Sequence, residues 1–182
     1  LGVYDLAEKH LQRSLELRRK ALSDEHIDVA TSLKEVGTVM IAAGRYEEAE
    51  PLMREAADSA RRLLPSDSKE LGEYLNNLAS VLQVRGNLAA AESIYVECIP
   101  LLERTLGETA PEVAQAMNNL ALLKNTRGDH VGAEALLRKS IEIRKDAGKD
   151  PSLGIANVNL GLALVGQGKY QEAEAKYREA LA

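Results

Sequence analysis

Three asparagines draw attention because they recur at regular spacing and carry a side chain that can recognise a peptide backbone. Asn77, Asn119 and Asn159 lie 42 and 40 residues apart, so they hold one place in successive copies of a repeated pattern. A carboxamide donates and accepts hydrogen bonds, and a row of carboxamides can pair with the amides of an extended peptide. The alternative is that these side chains bond to the neighbouring copy of the pattern or to the next loop. We call these three residues the asparagine column.

A second polar column consists of glutamates, which would need to lie in close pairs to support acid–base catalysis. Each copy of the pattern supplies only one of them, and packed helical layers lie about 10 Å apart, so neighbouring members cannot share a proton. We expect them to stabilise helix N-termini through the helix dipole instead. The column contains Glu8, Glu50, Glu92, Glu134 and Glu174.

The remaining reactive residue types form no catalytic or metal-binding pattern. Cys98 is the one cysteine and falls in a column of small residues, which favours a buried, inert thiol. The histidines His10, His26 and His130 occupy unrelated columns, which argues against a metal site. No nucleophile stands beside a base, and no glycine-rich phosphate loop occurs. The sequence therefore predicts a protein that is not an enzyme and that binds no cofactor and no metal.

Charge and hydropathy narrow the classes of partner. The net charge is −5 and the isoelectric point is about 5.4, whereas a nucleic-acid-binding protein needs a basic face. No apolar run approaches the roughly 18 residues of a membrane span, and no basic amphipathic helix is present. We therefore expect a protein or peptide partner, with no nucleic acid and no membrane. A single cysteine is compatible with a reducing, cytoplasmic location.

The pattern behind these columns is a glycine followed five residues later by Ala-Glu. Each period contains two amphipathic helical runs, which we call helix A before the glycine and helix B after it. Glycine suits this place because it tolerates the left-handed backbone on which a helix often ends. Pro100 lies deep inside one helix B, and we expect it to kink or split that helix. The five glycines are Gly2, Gly44, Gly86, Gly128 and Gly168.

The period predicts one array over residues 1–182, which we expect to be a segment of a longer protein. Ser68 is a predicted N-cap, Pro111 fits a first helical turn, and residues 148–151 form the shortest junction. Lys124 and Asn157 fall in otherwise apolar columns, so each must be exposed or find a partner. The predicted units are a lone helix B over 1–22 and helix A/B repeats over 28–65, 69–106, 111–147 and 152–182.

The alternation of small and large side chains between the helices resembles the tetratricopeptide repeat. A small residue precedes each turn glycine by seven positions, as Gly37 and Ala79 show, and an alanine opens each helix B, as in Ala49. The period is about eight residues longer than the usual 34, and the run from Leu75 to Ala79 resembles the kinesin light chain type. This resemblance implies an all-α fold: a right-handed superhelical solenoid of antiparallel helix pairs with about nine helices. HEAT-like repeats have a similar period, but the Gly-to-Ala-Glu signature disfavours them.

The resemblance also implies that the helices A line a concave groove in which a partner peptide lies. Lys34 is the one cation of the groove columns and Glu35 adjoins it, which disfavours a clamp for C-terminal carboxylates and favours a neutral or mixed-charge peptide. The predicted groove residues are Lys34, Glu35, Thr38, Glu73, Asn76, Asn77, Ser80, Gln83, Gln115, Asn118, Asn119, Asn125 and Asn159. The same columns also contain Thr31, Ile41, Leu122, Ile155, Val158 and Leu162.

The favoured function is thus a non-catalytic protein–protein interaction module, and two alternatives stay open. The array can be the regulatory or sensor domain of a larger signalling protein that contains a kinase or ATPase. It can also be a self-assembly scaffold, because Leu6, Leu11 and Leu15 of the first helix have no preceding helix A to cover them. Exposed apolar faces of that kind promote end-to-end self-association through the terminal helices.

Overall fold

The computed structural model describes residues 2–146 and 152–181, and these residues form nine α-helices and no strand. The even-numbered helices are the predicted helices A and the odd-numbered ones are the predicted helices B. The predicted junction over residues 148–151 and the two terminal residues lie outside the described part of the chain. The helices are α1 (Val3–Ala21), α2 (Ile27–Ala42), α3 (Tyr46–Leu63), α4 (Lys69–Val84), α5 (Leu88–Leu106), α6 (Pro111–Thr126), α7 (His130–Asp146), α8 (Ser152–Gly166) and α9 (Tyr170–Ala180).

The turn between helix A and helix B has the same hydrogen bonds in each copy. After α2, the Arg45 N–H donates to the Met40 carbonyl at 2.8 Å, and the Gly44 N–H donates to the Ile41 carbonyl at 2.9 Å. Gly44 has a φ of 76°, a left-handed conformation in which a Cβ would be strained. The role of three other pattern glycines is confirmed by the same conformation: Gly86, Gly128 and Gly168. Gly2 differs, since it is the extended N-cap of α1 with a φ of −67°.

Two helix starts follow the predicted chemistry. The Ser68 hydroxyl accepts a hydrogen bond from the Leu71 N–H at 3.2 Å, so Ser68 is the N-cap of α4. Pro111 is the first residue of α6, where its missing N–H costs no helical hydrogen bond. Both predictions are confirmed.

The chain divides into two compact units, Leu1–Ile94 and Tyr95–Ala182, with the boundary inside α5. In the first unit, α2 and α3 approach closely because Gly37 has no side chain. A Cβ at Gly37 would lie 2.9 Å from Cε of Met53 on α3. Met53 is 1% exposed, so this contact is part of the core. The predicted pairing of a small residue on helix A with a large one on helix B is therefore present.

The second unit repeats this arrangement between α8 and α9. A Cβ at Gly161 would overlap the ring of Tyr177, so any larger residue would have to displace that ring. The predicted core thiol, Cys98, is also buried in this unit. One apolar cluster joins α6, α7, α8 and α9 and consists of Ala121, Ala133, Leu137, Ile141, Ala156, Leu160, Ala163, Leu164 and Ala173.

Pro100 does not split its helix, because α5 runs unbroken from Leu88 to Leu106, and the alternative expectation of a kink stays a prediction. Proline removes the hydrogen bond to the carbonyl four residues earlier, which belongs to Val96. Pro100 is exposed and Val96 is 59% exposed, so both lie on the solvent side of the helix. Water can therefore satisfy the Val96 carbonyl, and the helix continues.

The two polar residues in apolar columns behave differently. Lys124 places its Nζ 2.7 Å from Oδ2 of Asp129, with a quarter of its side chain exposed. Asn157 is 1% exposed, and no described residue forms a hydrogen bond with its Oδ1. The Lys124 ammonium thus has a partner in Asp129, whereas the Asn157 Oδ1 is buried without a hydrogen-bond partner.

Candidate functional site

In the first unit, the predicted groove residue Lys34 is already neutralised. Its Nζ lies 3.5 Å from Oε2 of Glu73 on α4 and 4.7 Å from the centre of the Tyr74 ring. The Tyr74 hydroxyl shares a hydrogen bond of 3.0 Å with the Thr31 hydroxyl. Lys34 therefore acts within the contact between α2 and α4 and is not a free cation for a carboxylate ligand.

Tyr74 lies in a buried and acidic environment. Burial raises the pKa of Tyr74 above its usual value, the hydrogen bond with Thr31 opposes this, and the charges of Glu73, Glu35 and Asp28 raise the pKa further. The phenol therefore stays protonated at neutral pH and donates to the Thr31 hydroxyl, whose own proton goes to the Ile27 carbonyl. This part of the first unit contains more acidic than basic groups, which disfavours an anionic ligand.

Two adjacent asparagines of α4 have unused hydrogen-bonding capacity. Neither the Asn76 nor the Asn77 side chain forms a hydrogen bond with any described residue, and the Asn76 Oδ1 is enclosed. Ser80 lies one turn after them and is half-buried, as are Asn77 and Gln83. The half-buried Asn77 is therefore a carboxamide that the fold itself does not use, whereas the enclosed Asn76 oxygen is out of a ligand's reach.

The other two predicted groove residues of the first unit lie on α2. Thr38 is exposed, and its hydroxyl donates to the Lys34 carbonyl at 2.8 Å. Glu35 is half-buried. The Thr38 hydroxyl keeps its acceptor lone pairs for a ligand, because only its proton is used.

In the second unit, the equivalent amides are bonded to each other. The Asn159 Nδ2 donates to Oδ1 of Asn118 at 3.1 Å, and both residues are buried, with 8% and 7% exposed. The Asn125 Nδ2 donates to the Asn159 carbonyl at 3.3 Å, and its Oδ1 lies 3.2 Å from Nδ1 of His130. These side chains hold α6 against α8. This is the alternative that the sequence leaves open, in which the amides bond to the neighbouring repeat and not to a peptide.

The remaining predicted residues of this unit, Gln115 and Asn119, are also engaged. The Gln115 Nε2 donates to Oδ1 of Asn119 at 3.0 Å, and its Oε1 accepts from a guanidinium nitrogen of Arg144 at 3.1 Å. Arg144 is 3% exposed and also donates to the buried Ser140 hydroxyl. The asparagine column therefore differs between the units: Asn77 has no partner, whereas Asn119 and Asn159 have one each.

The glutamate column has a role that its spacing alone did not reveal. Glu8 pairs with Arg45 at 2.5 Å, and Glu134 pairs with Lys169 at 2.8 Å. Glu50 likewise pairs with Arg85 at 3.3 Å. Each pair joins a helix B to a cation beside the next turn glycine. A basic residue beside these glycines is visible in the sequence and could have predicted the pairing. The pairs tie successive repeats together within each unit.

Glu134 is the best-enclosed member of the glutamate column in the second unit. Its side chain is 13% exposed and lies 2.7 Å from a guanidinium nitrogen of Arg138, besides its bond to Lys169. The Lys169 ammonium, with help from Gln167 and Arg138 and against the effect of burial, lowers the pKa of Glu134 to about 2. A carboxylate with so low a pKa cannot act as a general acid or base near neutral pH.

Within the described residues, no group of three or more His, Cys, Asp or Glu side chains is placed to hold a metal ion. None of the helices in that part of the chain has the length and apolar character needed to cross a membrane.

Solved structures place this fold among known repeat proteins. BtubC (BKLC) from P. vanneervenii is 25% identical, with a TM-score of 0.84 over 98% of this chain and 72% of its own. A putative kinesin light chain from Podosopora anserina with nearly identical TPR-like repeats is 21% identical, with a TM-score of 0.81 over 97% and 85% of the two chains. MamA is 20% identical, with a TM-score of 0.68 over 100% and 94%. No curated protein sequence matches the chain.

These similarities confirm the predicted all-α superhelical fold class and the kinesin light chain type of repeat. Two family models, both described as tetratricopeptide repeat, match the chain itself. The first covers residues 1–62 and 70–146, and the second covers residues 143–182. Repeats of this family generally mediate protein–protein interaction. The chain therefore belongs to the tetratricopeptide repeat family.

Proposed function

We propose that this chain is a non-catalytic interaction module that binds an extended peptide on the helix A surface of its first unit. The observation that carries the proposal is the half-buried carboxamide of Asn77 on α4, which has no partner among the described residues. An extended peptide has an N–H and a C=O at each residue, and a carboxamide can serve both. Membership of an interaction family supports the same conclusion.

The chemistry of the surrounding side chains favours a ligand without a dominant negative charge. Lys34 is neutralised by Glu73, and Glu35 and Asp28 add negative charge beside Tyr74. An acidic peptide would therefore meet repulsion, while a neutral or mixed-charge peptide would not. Affinity then comes from hydrogen bonds to the peptide backbone, and selectivity comes from the hydroxyls of Thr38 and Ser80.

The two units have different tasks in this proposal. Asn77 makes the principal backbone contact, and Thr38, Ser80 and Gln83 extend the same surface. In the second unit, Asn118 and Asn159 stabilise the packing of α6 on α8. The predicted groove residues Gln115, Asn119 and Asn125 contribute to a ligand only after their present hydrogen bonds break, so we expect a smaller effect from them.

A selection of extended peptides against the chain tests this proposal. The chain, Asn77→Ala and Asn119→Ala are presented to the same random library, and enriched peptides are measured by titration. Asn119→Ala is the matched control, since it removes the same group one repeat later from an existing bond with Gln115. We expect a loss of about tenfold in affinity for Asn77→Ala, the effect of one well-placed hydrogen bond, and little change for the control.

Two outcomes would contradict the proposal. If both variants bind the enriched peptides as the parent chain does, the ligand lies outside the asparagine column. If Asn119→Ala loses binding and Asn77→Ala retains it, the second unit is the recognition surface. Circular dichroism of both variants establishes that any loss of affinity reflects a contact and not unfolding.

A further inference from the structure

On α2, the place that the asparagine column occupies in later repeats holds a carboxylate, Glu35. Glu35 lies 42 residues before Asn77, so it holds in the first helix A the place that Asn77, Asn119 and Asn159 hold in the later ones. A carboxamide donates and accepts hydrogen bonds, whereas an ionised carboxylate only accepts them and carries a full negative charge. This place on α2 therefore binds a different kind of group from the amides that follow it.

The Glu35 side chain is accessible, and the fold does not use it. Glu35 is half-buried and forms no hydrogen bond or ion pair with any described residue. The adjacent Lys34 is not its partner, because consecutive helical residues do not face each other and the Lys34 ammonium lies 3.5 Å from Glu73. A helix A on the preceding side does not close this place, since Asn77 has α2 packed on that side of α4 and is half-buried as well.

The charge around Glu35 is negative. Besides burial, the charges of Glu73, Glu35 and Asp28 raise the pKa of Tyr74, so all three carboxylates act on one phenol. The Lys34 ammonium pairs with Glu73 and leaves the charge of Glu35 without a counter-charge. A cationic group is therefore the part of a ligand that this place attracts, and an anionic group is the part that it repels.

The spacing of the helices determines how far this cationic group lies from the peptide residue that Asn77 holds. Packed helices lie about 8–10 Å apart, and an extended chain advances about 3.3 Å per residue. A peptide that crosses from α4 to α2 therefore passes Glu35 about three residues away from its contact with Asn77. The long stems of arginine and lysine allow this separation to vary by about one residue.

We infer that the peptide bound by the first unit carries an arginine or lysine that pairs with Glu35, about three residues from the residue whose backbone bonds to Asn77. The inference rests on the proposed peptide binding and deepens it. Asn77 holds the backbone of any sequence, whereas Glu35 selects the charge and the register of the peptide, because an acidic side chain at that position meets repulsion. Arginine suits the place best, since its guanidinium can bind both carboxylate oxygens.

A library of random peptides of about nine residues, which span about 30 Å when extended, tests the inference on the parent chain, Glu35→Gln and Glu35→Lys. We expect arginine or lysine to be enriched at one position on the parent chain, and aspartate or glutamate at that position on Glu35→Lys. Changing the enriched basic residue to glutamine should weaken binding to the parent chain about three- to tenfold and leave binding to Glu35→Gln unchanged. The matched control is Glu25→Gln, which removes the same charge from the exposed loop before α2 and should keep the preference of the parent chain.

N-methylation of each peptide bond in turn locates the residue that Asn77 holds, because the methyl group removes one N–H donor. The sensitive residue should lie about two to four residues from the basic side chain, and Asn77→Ala should abolish the sensitivity. A sensitive residue elsewhere overturns the register.

The outcomes separate this inference from the proposed function. Binding that is unchanged in Asn77→Ala, or a library that yields no binders, overturns both. Binding that depends on Asn77 but shows no preference for a basic residue, or keeps that preference in Glu35→Gln, overturns the inference alone. The reversed preference expected for Glu35→Lys cannot arise from unfolding, so it distinguishes a contact from a loss of structure.

Discussion

Replacing Asn157 by leucine should stabilise the chain. Asn157 is 1% exposed, and its Oδ1 accepts no hydrogen bond from any described residue. The same column contains Leu33 and Leu75, both fully buried. An unsatisfied buried polar group costs about 1–3 kcal/mol, whereas leucine keeps the branched shape of asparagine but is larger, so overpacking offsets part of the gain. We expect Asn157→Leu to raise the free energy of unfolding by about 1–2 kcal/mol.

The assay is urea unfolding followed by circular dichroism, in which the midpoint should rise while the slope with urea stays unchanged. The matched control is Asn118→Leu, which changes a similarly buried asparagine that accepts from Asn159. That variant leaves the Asn159 amide unpaired and should lower the free energy of unfolding by about 1–3 kcal/mol. The same substitution should therefore stabilise the chain at position 157 and destabilise it at position 118. A fall in stability for Asn157→Leu would refute the reasoning, since it would mean that the Asn157 amide has a partner.

Three further predictions concern the glutamate column, a glycine and a proline. Lys169 holds the pKa of Glu134 at about 2, below the value near 4.3 of a glutamate in the unfolded chain. The ionised Glu134 therefore stabilises the fold at neutral pH, and this stabilisation is lost as the pH falls from about 5 to about 2. Glu134→Gln should therefore cost about 1 kcal/mol at pH 7, discounted because Lys169 is 40% exposed, and the difference from the parent chain should vanish near pH 2 in urea titrations. Gly161→Ala should lower the unfolding midpoint by an amount equivalent to about 1–3 kcal/mol, because its Cβ overlaps the ring of Tyr177, and the double variant with Tyr177→Ala should lose less than the sum. Pro100→Ala should raise the midpoint of thermal unfolding, because it restores a helical hydrogen bond in α5 and gains up to about 3 kcal/mol. An unchanged midpoint would mean that the surrounding helix already compensates for the missing hydrogen bond.

The period predicted the fold because each part of the repeat depends on local chemistry. The turn after α2 needs a left-handed residue, and only glycine supplies one without strain, so Gly44 could be placed from the sequence. Ser68 could be assigned as an N-cap because its hydroxyl needs only the first turn of its own helix. Such signals lie within a few residues of the feature that they determine.

The candidate site could be predicted only in part, because it depends on contacts between repeats. Asn118 and Asn119 are adjacent and chemically identical, yet only Asn118 bonds to Asn159, and helix rotation decides between them. The pairing of Glu134 with Lys169 spans more than 30 residues and likewise needs the stacked arrangement. The sequence could not decide whether Pro100 kinks or splits its helix for a similar reason, since the cost of the proline depends on which side of α5 faces water.

The contact that joins one helix A to the next has a different chemistry in each of the two units. It is an ion pair between Lys34 and Glu73 in the first unit, and it is an amide pair between Asn118 and Asn159 in the second. On α8 the same place holds Val158, which can be satisfied only by an apolar partner. A charged helix placed against Val158 would lose its water and gain no partner, and an aliphatic helix placed against Lys34 would separate its half-buried ammonium from Glu73. Penalties for a mismatched neighbour would therefore discriminate between these places as much as attraction does.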